Sequence, residues 1–314
     1  MKKSLKSVIT LFAIILFLSG CNSISKKTSE ENKIKTVNIA ISSEANAEKL
    51  DATAYDSSMA LYGAVYEPLI KYSKKGEFQP ALATSWEISD DGKKYVFNLN
   101  KKAKFSDGSR VNSEAVKFTI ERAKLNNKTS SLQTLNNLDR IEIVDENTVV
   151  FFFKEVSNQV LAELCQTRPL RIMSPNSVDN GDISGVFKKA IGSGAFEITE
   201  STSEHVLMSP NRYFNNNKPV NYKVDFKTIS DGSSRTLALK SGEIDIAGGT
   251  LGEITDSDID SLKTDNSFKV KEFEGTMSHF LAFNPDNTML NKNIRHVIDL
   301  SIDKKLLSKQ KLNG

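Results

Sequence analysis

The chain has 314 residues and sets 42 Lys and Arg residues against 39 Asp and Glu residues. Three of the lysines and none of the acids lie in the first 20 residues, so the remainder carries 39 residues of each sign. A neutral chain gives no electrostatic reason to expect a nucleic acid as partner, and that class of function is excluded first.

The first 20 residues have the organisation of a secretory signal. Three lysines precede an apolar run over residues 8–18, which is too short to span a bilayer comfortably. The run ends at Leu18-Ser19-Gly20-Cys21, which resembles the lipobox of bacterial lipoproteins, where the cysteine is acylated. We therefore predict a signal peptide over residues 1–20, palmitate-type lipidation at Cys21 and attachment to the extracytoplasmic face of the cell membrane. The alternative is an ordinary signal peptide that ends at a chance cysteine.

Residues 21–35 follow as a polar segment of Ser, Lys, Thr, Glu and Asn with almost nothing apolar. Because such a composition cannot bury a core, this segment is predicted to be a flexible tether.

With Cys21 lipidated, Cys165 is the only other cysteine, so an intramolecular disulfide has no second partner. Cys165 follows an apolar helical pattern of Val160, Leu161 and Leu164, which predicts a packing role. A ligand or reactive role is the alternative, although no cysteine or histidine stands at metal-ligand spacing.

From residue 36 onwards, strand and helix patterns interleave irregularly, which favours an α/β fold with mixed sheets over a repeat or a helical bundle. Alternating apolar residues predict strands at 36–41, 86–88, 95–99, 141–143, 148–153, 206–208, 223–229 and 244–247. Helical spacing predicts helices at 57–66, 113–120, 158–166 and 232–240.

Several motifs recur in a fixed order along this pattern. They are YEPL at 66–69, ALATSW at 81–86, DDGKKYVFNL at 90–99, KFSDG at 104–108, IGSGAF at 191–196 and LKSGEID at 239–245. Together they resemble the peptide/nickel solute-binding family of bacterial ABC importers, and the likeness runs from about residue 35 to the C-terminus. The resemblance implies a periplasmic-binding-protein-like fold of two α/β lobes that close over a ligand.

The resemblance also implies a domain organisation. Lobe one would span residues 36–276, with an inserted subdomain at about 68–189. Residues 277–314 would begin lobe two through a crossing strand at 277–284, and residues 293–303 and 304–307 resemble its first helices. Members of the family continue through lobe two and return to lobe one. The expectation is therefore a fragment or prematurely terminated product in which only lobe one is near complete.

The glycines of the motif at 191–196 are predicted to have a structural role. Gly192 and Gly194 are expected to allow a close backbone approach between sheet and insertion. No Lys-Ser/Thr follows them, so a phosphate loop is not indicated. The three histidines are scattered and no catalytic triad or carboxylate pair stands out. We expect a binding protein without a cofactor rather than an enzyme.

The resemblance points to residues that would line the cleft. Arg168, before Pro169, occupies the position at which nickel-binding relatives pair an arginine with a carboxylate of the metal chelator. A guanidinium suits this role because it is permanently charged and can bind a carboxylate through two parallel hydrogen bonds. Arg171 would point to the opposite face, as a solvated arginine. Tyr55 and Met59 align with cleft-lining aromatic and methionine positions, although Met59 could equally pack into the core.

Two departures from the nickel-binding pattern stand beside these matches. Residues 126–131 lack the arginine and tryptophan that some relatives place near the metal complex, and a metal-ligating histidine of some relatives would fall beyond Gly314. His279, on the expected crossing strand, is a weak metal-ligand candidate.

Three functions stay open. The first is capture of nickel as a small chelate for an ABC permease and its ATPase subunits. The second is an oligopeptide- or dipeptide-binding lipoprotein of the same family. The third is a truncated surface lipoprotein with no transport role.

Overall fold

The computed structural model describes residues 34–43, 45–129, 131–214, 219–272 and 280–311. They form two compact units, one ending at Ser261 and one beginning at Leu262. The predicted lobe boundary at 276 lies inside the second unit and stays a prediction. Cys21 and the predicted signal and tether up to residue 33 lie outside the described residues. Within the described residues, no helix has the length and apolar character to cross a membrane.

Three sheets are built in the first unit. Their strands are β1 (Lys35–Ile41), β2 (Ile70–Tyr72), β3 (Phe78–Pro80), β4 (Ala83–Ile88), β5 (Lys94–Leu99), β6 (Leu138–Asp145), β7 (Thr148–Phe153), β8 (Phe196–Ser201), β9 (His205–Pro210) and β10 (Tyr222–Thr228). The strand orders are β1-β10-β9-β8, β2-β3 and β4-β5-β7-β6.

The first sheet is mixed, because β1 pairs with β10 in parallel and the other neighbours are antiparallel. The predicted strand at 244–247 is wrong. That segment forms a single parallel bridge, Ile39 to Ile246, and the Asp245 carboxylate accepts the Asn38 amide hydrogen at 2.8 Å. The Asp245 side chain therefore occupies the Asn38 N–H, which a longer β-ladder at this edge of the sheet would otherwise use.

The β4–β7 sheet is antiparallel, and its strands fall between β1 and β8 in the sequence. In β5, Tyr95, Phe97 and Leu99 alternate with more exposed residues and face the core. Phe97 packs on Phe151 of β7 with ring centroids 5.2 Å apart. Apolar alternation thus specifies the register, since a shift by one residue would turn these rings to solvent.

The α-helices of the described residues are α1 (Met59–Val65), α2 (Ser113–Asn126), α3 (Gln133–Asn137), α4 (Val160–Leu164), α5 (Gly232–Ser241), α6 (Asp256–Thr264), α7 (Lys292–Ser301) and α8 (Lys304–Lys311). The predicted helix at 158–166 is shorter than expected at both ends. α2 begins where the Asn112 side chain accepts the Ala115 amide hydrogen, a regular helix cap.

The C-terminal end of α1 is held by the glycine motif. Gly194 N donates to Val65 O at 2.8 Å. A Cβ on Gly192 would lie 2.0 Å from Val65 O, and one on Gly194 would lie 2.5 Å from Ala64 O. Only glycine permits this approach, and it fixes α1 against the segment that leads into β8. The close backbone approach is confirmed, but its partner is α1 and not the insertion.

Within the described residues, the second unit contains the end of α6, the helices α7 and α8, and irregular chain. Ile294, Val297 and Leu300 recur at helical spacing on α7, yet they are 41%, 60% and 71% exposed. In the expected crossing strand, residues 280–284 form no strand, and the rest of that segment, with His279, lies outside the described residues. The apolar stripe of α7 is therefore exposed to solvent.

Candidate ligand-binding site

The predicted site residues Arg168 and Tyr55 lie together in the structure, 113 positions apart in the chain. Nη1 of Arg168 donates to the carbonyl oxygens of Tyr55 at 2.6 Å and Ser57 at 2.9 Å. The Arg168–Pro169 peptide bond is cis. Within the described residues, Nε and Nη2 of Arg168 form no hydrogen bond, so one edge of the guanidinium stays available.

An aromatic ring lies beside this arginine, and an exposed methionine follows it at the start of α1. The Cζ atom of Arg168 lies 5.5 Å from the centroid of the Tyr55 ring, a cation–π distance. Tyr55 is 45% exposed, and Met59, the first residue of α1, is 50% exposed. Met59 is therefore not a core residue, and the core alternative for it is wrong. The exposed Tyr55 ring beside the cation, and the exposed Met59, offer apolar surface that can pack on a ligand.

The segment that carries these groups, residues 51–57, is fastened by a buried ion pair. Nε and Nη2 of Arg122 on α2 donate to Oδ2 of Asp51 at 2.9 and 2.6 Å, and both side chains are less than 10% exposed. Nη1 of Arg122 donates to the carbonyls of Ile183 and Gly185. Oδ1 of Asp51 accepts from the amide and hydroxyl of Thr53. Since both charges are paired and fully hydrogen-bonded, the segment has a rigid base.

The end of α2 adds further bonds to the same segment. Asn126 Nδ2 donates to Thr53 Oγ1 at 2.8 Å, and Asn127 Nδ2 donates to Thr53 O at 2.7 Å and Ala123 O at 2.8 Å. These contacts place both asparagines beside Tyr55, where they line an open pocket of about 510 Å³. The departure noted at residues 126–131 thus begins inside the site itself.

The other end of α1 holds a second arginine. Nη1 of Arg171 lies 3.4 Å from Tyr66 O, and Nε lies 3.3 Å from Thr167 O. Desolvation lowers the pKa of Arg171, with Glu67 opposing. The interpretation of Arg171 as a solvated surface arginine is wrong, because its guanidinium packs between backbone carbonyls. It reaches the opposite end of α1 from Arg168.

Burial shapes the pKa values around Arg171. Desolvation raises the pKa of Glu67, against the effects of Ser193, Lys71 and Arg171. Burial also raises the pKa of the Cys165 thiol to about 11. Cys165 is 8% exposed, so it is buried as predicted and is a poor nucleophile at neutral pH.

Two buried hydroxyls lie beneath the Arg168 contact. Tyr62 of α1 is fully buried, and Ser57 is 8% exposed. Within the described residues, neither Tyr62 Oη nor Ser57 Oγ has a hydrogen-bond partner. Burial raises the pKa of Tyr62 to about 12; Arg168 lowers it, Asp51 and Asp56 raise it, and the nearby Ser57 backbone lowers it slightly. The Tyr62 hydroxyl therefore lies within the field of all three charges.

A metal site is not formed by the described part of the chain, where no group of three or more His, Cys, Asp or Glu side chains converges. His205 is engaged elsewhere: its Nδ1 lies 2.8 Å from Asp225 Oδ1, and this hydrogen bond raises the pKa of His205. His296 is exposed on α7.

The Arg122–Asp51 pair was missed by sequence reasoning. The two residues are 71 positions apart, and each belongs to a residue type that is normally solvated. The predicted helix stopped at residue 120, before Arg122. In the structure α2 continues to Asn126, and Arg122 lies with Ile120 and Ala123 on its buried side, where a charge needs a partner.

A mixed sheet with an antiparallel sheet inserted after its first strand, and an open site on the segment that follows that strand, define a periplasmic-binding-protein-like α/β protein. The chain belongs to the bacterial extracellular solute-binding proteins, family 5 Middle, and the family model matches residues 77–314.

Individual relatives agree with this assignment. The chain is 27% identical over 262 residues to a nickel-binding periplasmic protein of Escherichia coli, covering 82% of this chain and 50% of the relative. It is 29% identical over 250 residues to a probable D,D-dipeptide-binding periplasmic protein of E. coli, covering 76% and 47%. The crystal structure of an ABC transporter substrate-binding protein from Sinorhizobium meliloti superposes with a TM-score of 0.68 at 31% identity, covering 73% and 46%. The chain thus spans about half the length of these relatives.

Proposed function

We propose that this chain is the substrate-binding component of an ABC importer, lipid-anchored at Cys21 on the extracytoplasmic face of the membrane. It captures nickel as a small chelate and delivers it to a permease and its ATPase subunits. The observation that carries the proposal is Arg168, a guanidinium held in place by backbone carbonyls with one edge still available.

The two carbonyl bonds from Nη1 fix the plane of the guanidinium, and Nε and Nη2 together form the edge that suits a carboxylate. An arginine whose orientation is set in advance loses less entropy when it binds an anion. A chelator carboxylate fits this edge through two parallel hydrogen bonds. The exposed Tyr55 ring and Met59 thioether supply apolar surface for the rest of the chelate.

The relatives support the class of ligand. A nickel-binding periplasmic protein and a dipeptide-binding protein both match most of this chain, and both names describe extracytoplasmic capture of small solutes. The homologous structure from S. meliloti is an ABC transporter component. His279 remains a candidate for contact with the metal.

The test of the nickel proposal is equilibrium dialysis of the purified chain against nickel with and without free histidine, with bound nickel measured by atomic absorption. We expect binding that requires both components and competes poorly with peptides. Uptake of nickel without histidine to the same extent, or none with it, contradicts the proposal.

Peptide capture is the second candidate, and one feature favours it. Beside Tyr55 the site offers carboxylates and amide oxygens, which suit the amino group of a peptide as Arg168 suits its carboxylate. Calorimetric titration with a dipeptide library separates the two functions, because a peptide binder shows heat without nickel.

The lobes and the anchor complete the proposal. We assign residues 36–276 to lobe one, with the insertion at about 68–189 that contains the β4–β7 sheet, and residues 277–314 to the start of lobe two. For the anchor, Cys21→Ser is expected to move the protein from the membrane pellet to an unprocessed or soluble form. A mature N-terminus elsewhere without an acyl group, found by mass spectrometry, contradicts lipidation.

A further inference from the structure

A cavity separate from the candidate ligand-binding site lies at the end of α1 away from Arg168. It has a volume of about 190 Å³ and opens between the β2–β3 hairpin, the turn that follows β5 and the glycine motif at 191–196. None of the residues that line it also lines the pocket beside Tyr55. Its chemistry is therefore not part of the site built around Arg168.

Two lysines line this cavity without an ion pair. Lys71 belongs to β2 and Lys104 follows β5, and both are exposed. Within the residues that the structure describes, neither ammonium group forms an ion pair or a hydrogen bond, and Nζ of Lys104 lies 5.5 Å from the centroid of the Tyr213 ring. Glu67 is the one acid among the lining residues. The lining thus carries two cations against one carboxyl, which attracts an anion.

Asn100 adds a neutral donor to the lining. Its Oδ1 accepts the Lys102 amide hydrogen at 3.0 Å, which determines how the side-chain amide is oriented. The two hydrogens on Nδ2 have no acceptor in the described part of the chain. Asn100 can therefore donate to a molecule in the cavity.

An independent observation comes from Ser193, which also lines the cavity. Ser193 is 2% exposed, and its Oγ has no partner at hydrogen-bonding distance and angle in the described residues. Its backbone is held by Gly192 and Gly194, which pack against the last turn of α1. Buried polar groups in native proteins are nearly always satisfied, so an unpaired hydroxyl on a cavity wall indicates that the content of the cavity completes its hydrogen bonding.

The Glu67 carboxyl opposes an anion less than an exposed glutamate would. Desolvation raises its pKa, and the nearby Ser193 hydroxyl, Lys71 and Arg171 oppose that shift. The neutral form of Glu67 is thus more populated than in an exposed glutamate. A neutral carboxyl can donate its own hydrogen to an anion.

We propose that this cavity, defined by Lys71, Asn100, Lys104 and Ser193, is a second binding site of the protein and takes a small tetrahedral oxyanion, phosphate or sulfate. The two ammonium groups supply charge-assisted hydrogen bonds, and the amide and hydroxyl supply neutral ones. An anion bound there connects the β2–β3 hairpin, the turn after β5 and the glycine motif. Because it binds only the folded chain, it also stabilises the fold.

The test is calorimetric titration of the purified chain with sodium phosphate and, separately, with sodium sulfate. Sodium chloride keeps the ionic strength constant. The variants are Lys71→Gln, Lys104→Gln and Ser193→Ala, and the matched control is Lys154→Gln. Lys154 is exposed after β7, and its ammonium group forms no ion pair in the described residues. Thermal unfolding with and without each anion is the second measurement.

We expect the wild-type chain to bind an oxyanion, and the tighter of the two titrations identifies which one. Each lysine variant should weaken this affinity by about three- to tenfold, because one charge-assisted bond is lost. Ser193→Ala should weaken it by about two- to tenfold. Without anion, Ser193→Ala should unfold no earlier than wild type, because its hydroxyl has no partner to lose. Lys154→Gln should bind as wild type does.

Three results contradict the proposal. If neither oxyanion gives heat or raises the unfolding temperature more than chloride does, the cavity holds only water. Equal losses in Lys154→Gln and in the cavity variants show that the anions bind surface charge in general. Glu67→Gln cannot carry a negative charge and should bind the oxyanion at least as tightly as wild type, so weaker binding shows that the cavity does not select anions. Because Arg168 takes no part in these measurements, the proposed function stands in each case.

Discussion

Two arginines hold the segment at residues 51–57, and they differ in what they leave available. Arg122 is 5% exposed, and all of its nitrogen atoms donate to Asp51 or to carbonyls of the 183–185 turn. Arg168 is half-buried, donates through Nη1 to Tyr55 and Ser57, and has no carboxylate within ion-pair distance in the described residues.

This difference gives the two arginines different roles: Arg122 supports the fold, and Arg168 is available to bind a ligand. A buried charge that is fully paired cannot interact with a ligand, but its removal leaves an uncompensated partner and disturbs the fold. A charge held by neutral carbonyls keeps its capacity to attract an anion. The same short segment can thus be rigid on its inner side and receptive on its outer side.

The largest effect is expected from breaking the inner contact, between Arg122 and Asp51. Arg122→Ala leaves the Asp51 carboxylate buried without a counter-charge, so the free energy of unfolding should fall by about 3–5 kcal/mol. Urea unfolding followed by circular dichroism measures the change. Should this variant not accumulate in cells, Arg122→Lys is measured instead. It keeps the charge but cannot make the paired guanidinium bonds to Asp51, so it should lose a smaller part of the stability.

The matched control is Arg110→Ala, which breaks the Arg110–Glu146 pair, whose side chains are 59% and 50% exposed. Exposed pairs contribute about 0–1 kcal/mol. If the two alanine variants lose similar amounts of stability, burial of the Arg122 pair is not what holds the segment.

The second largest effect is expected from removing the outer arginine, Arg168. Arg168→Ala should weaken binding of the nickel–histidine complex by about ten- to a hundredfold, because charge-assisted hydrogen bonds contribute about 1.5–3 kcal/mol and 1.4 kcal/mol is about tenfold in affinity. Arg168→Lys should recover part of this loss, since a point charge cannot make two parallel bonds. Calorimetric titration with the preformed complex measures all variants.

Arg171→Ala is the control for this series, because it removes an arginine from the other end of α1 and should change the affinity little. Equal affinities of wild type and Arg168→Ala would remove Arg168 from the site. Equal losses in both alanine variants would indicate that α1 has shifted rather than that a ligand contact has gone.

Sequence reasoning predicted the sheets and the candidate site unequally well. Strands such as β5 and β7 were predicted because one buried face imposes strict apolar alternation. The β2–β3 hairpin was missed because its strands have three residues each, carry exposed Tyr72 and Phe78, and end in Pro80. β8 shows Phe196 and Ile198 in alternation, a signal that was present and not used.

For the site, Arg168, Tyr55 and Met59 came from the family resemblance and not from local patterns. No periodicity links residues 55 and 168, since the contact depends on how the insertion folds back. The contacts of Asn126 were beyond sequence reasoning for the same reason: its side-chain nitrogen turns toward Thr53 only because the Thr53 hydroxyl already donates its hydrogen to Asp51.

A smaller effect concerns the end of α1 away from the site. Because desolvation raises the pKa of Glu67, its neutral form is favoured in the folded state. The associated stability is present below the unfolded pKa of a glutamate, about 4.3, and is lost as the pH rises through the folded-state value. Glu67→Gln stays neutral at every pH. Its free energy of unfolding should therefore rise relative to that of wild type as the pH goes from about 4 to about 7.

Urea unfolding at several pH values measures this gain, with the exposed Glu87→Gln as control. A constant difference between wild type and Glu67→Gln across the range would show that Glu67 ionises in the fold as freely as in the unfolded chain.

The smallest effect compares two buried tyrosines of one helix turn. The Tyr66 hydroxyl donates to Leu50 O at 2.7 Å, whereas the Tyr62 hydroxyl has no partner in the described residues. Tyr66→Phe should therefore cost about 1–3 kcal/mol by leaving a buried carbonyl unsatisfied, while Tyr62→Phe should cost nothing or stabilise the protein slightly. Thermal unfolding of both variants without ligand measures the difference. When Tyr62→Phe unfolds at the wild-type temperature, any loss of ligand affinity in this variant reports on the bound state alone. A Tyr62→Phe variant as destabilised as Tyr66→Phe would mean that this hydroxyl already belongs to the fold, leaving only the outer edge of Arg168 for recognition.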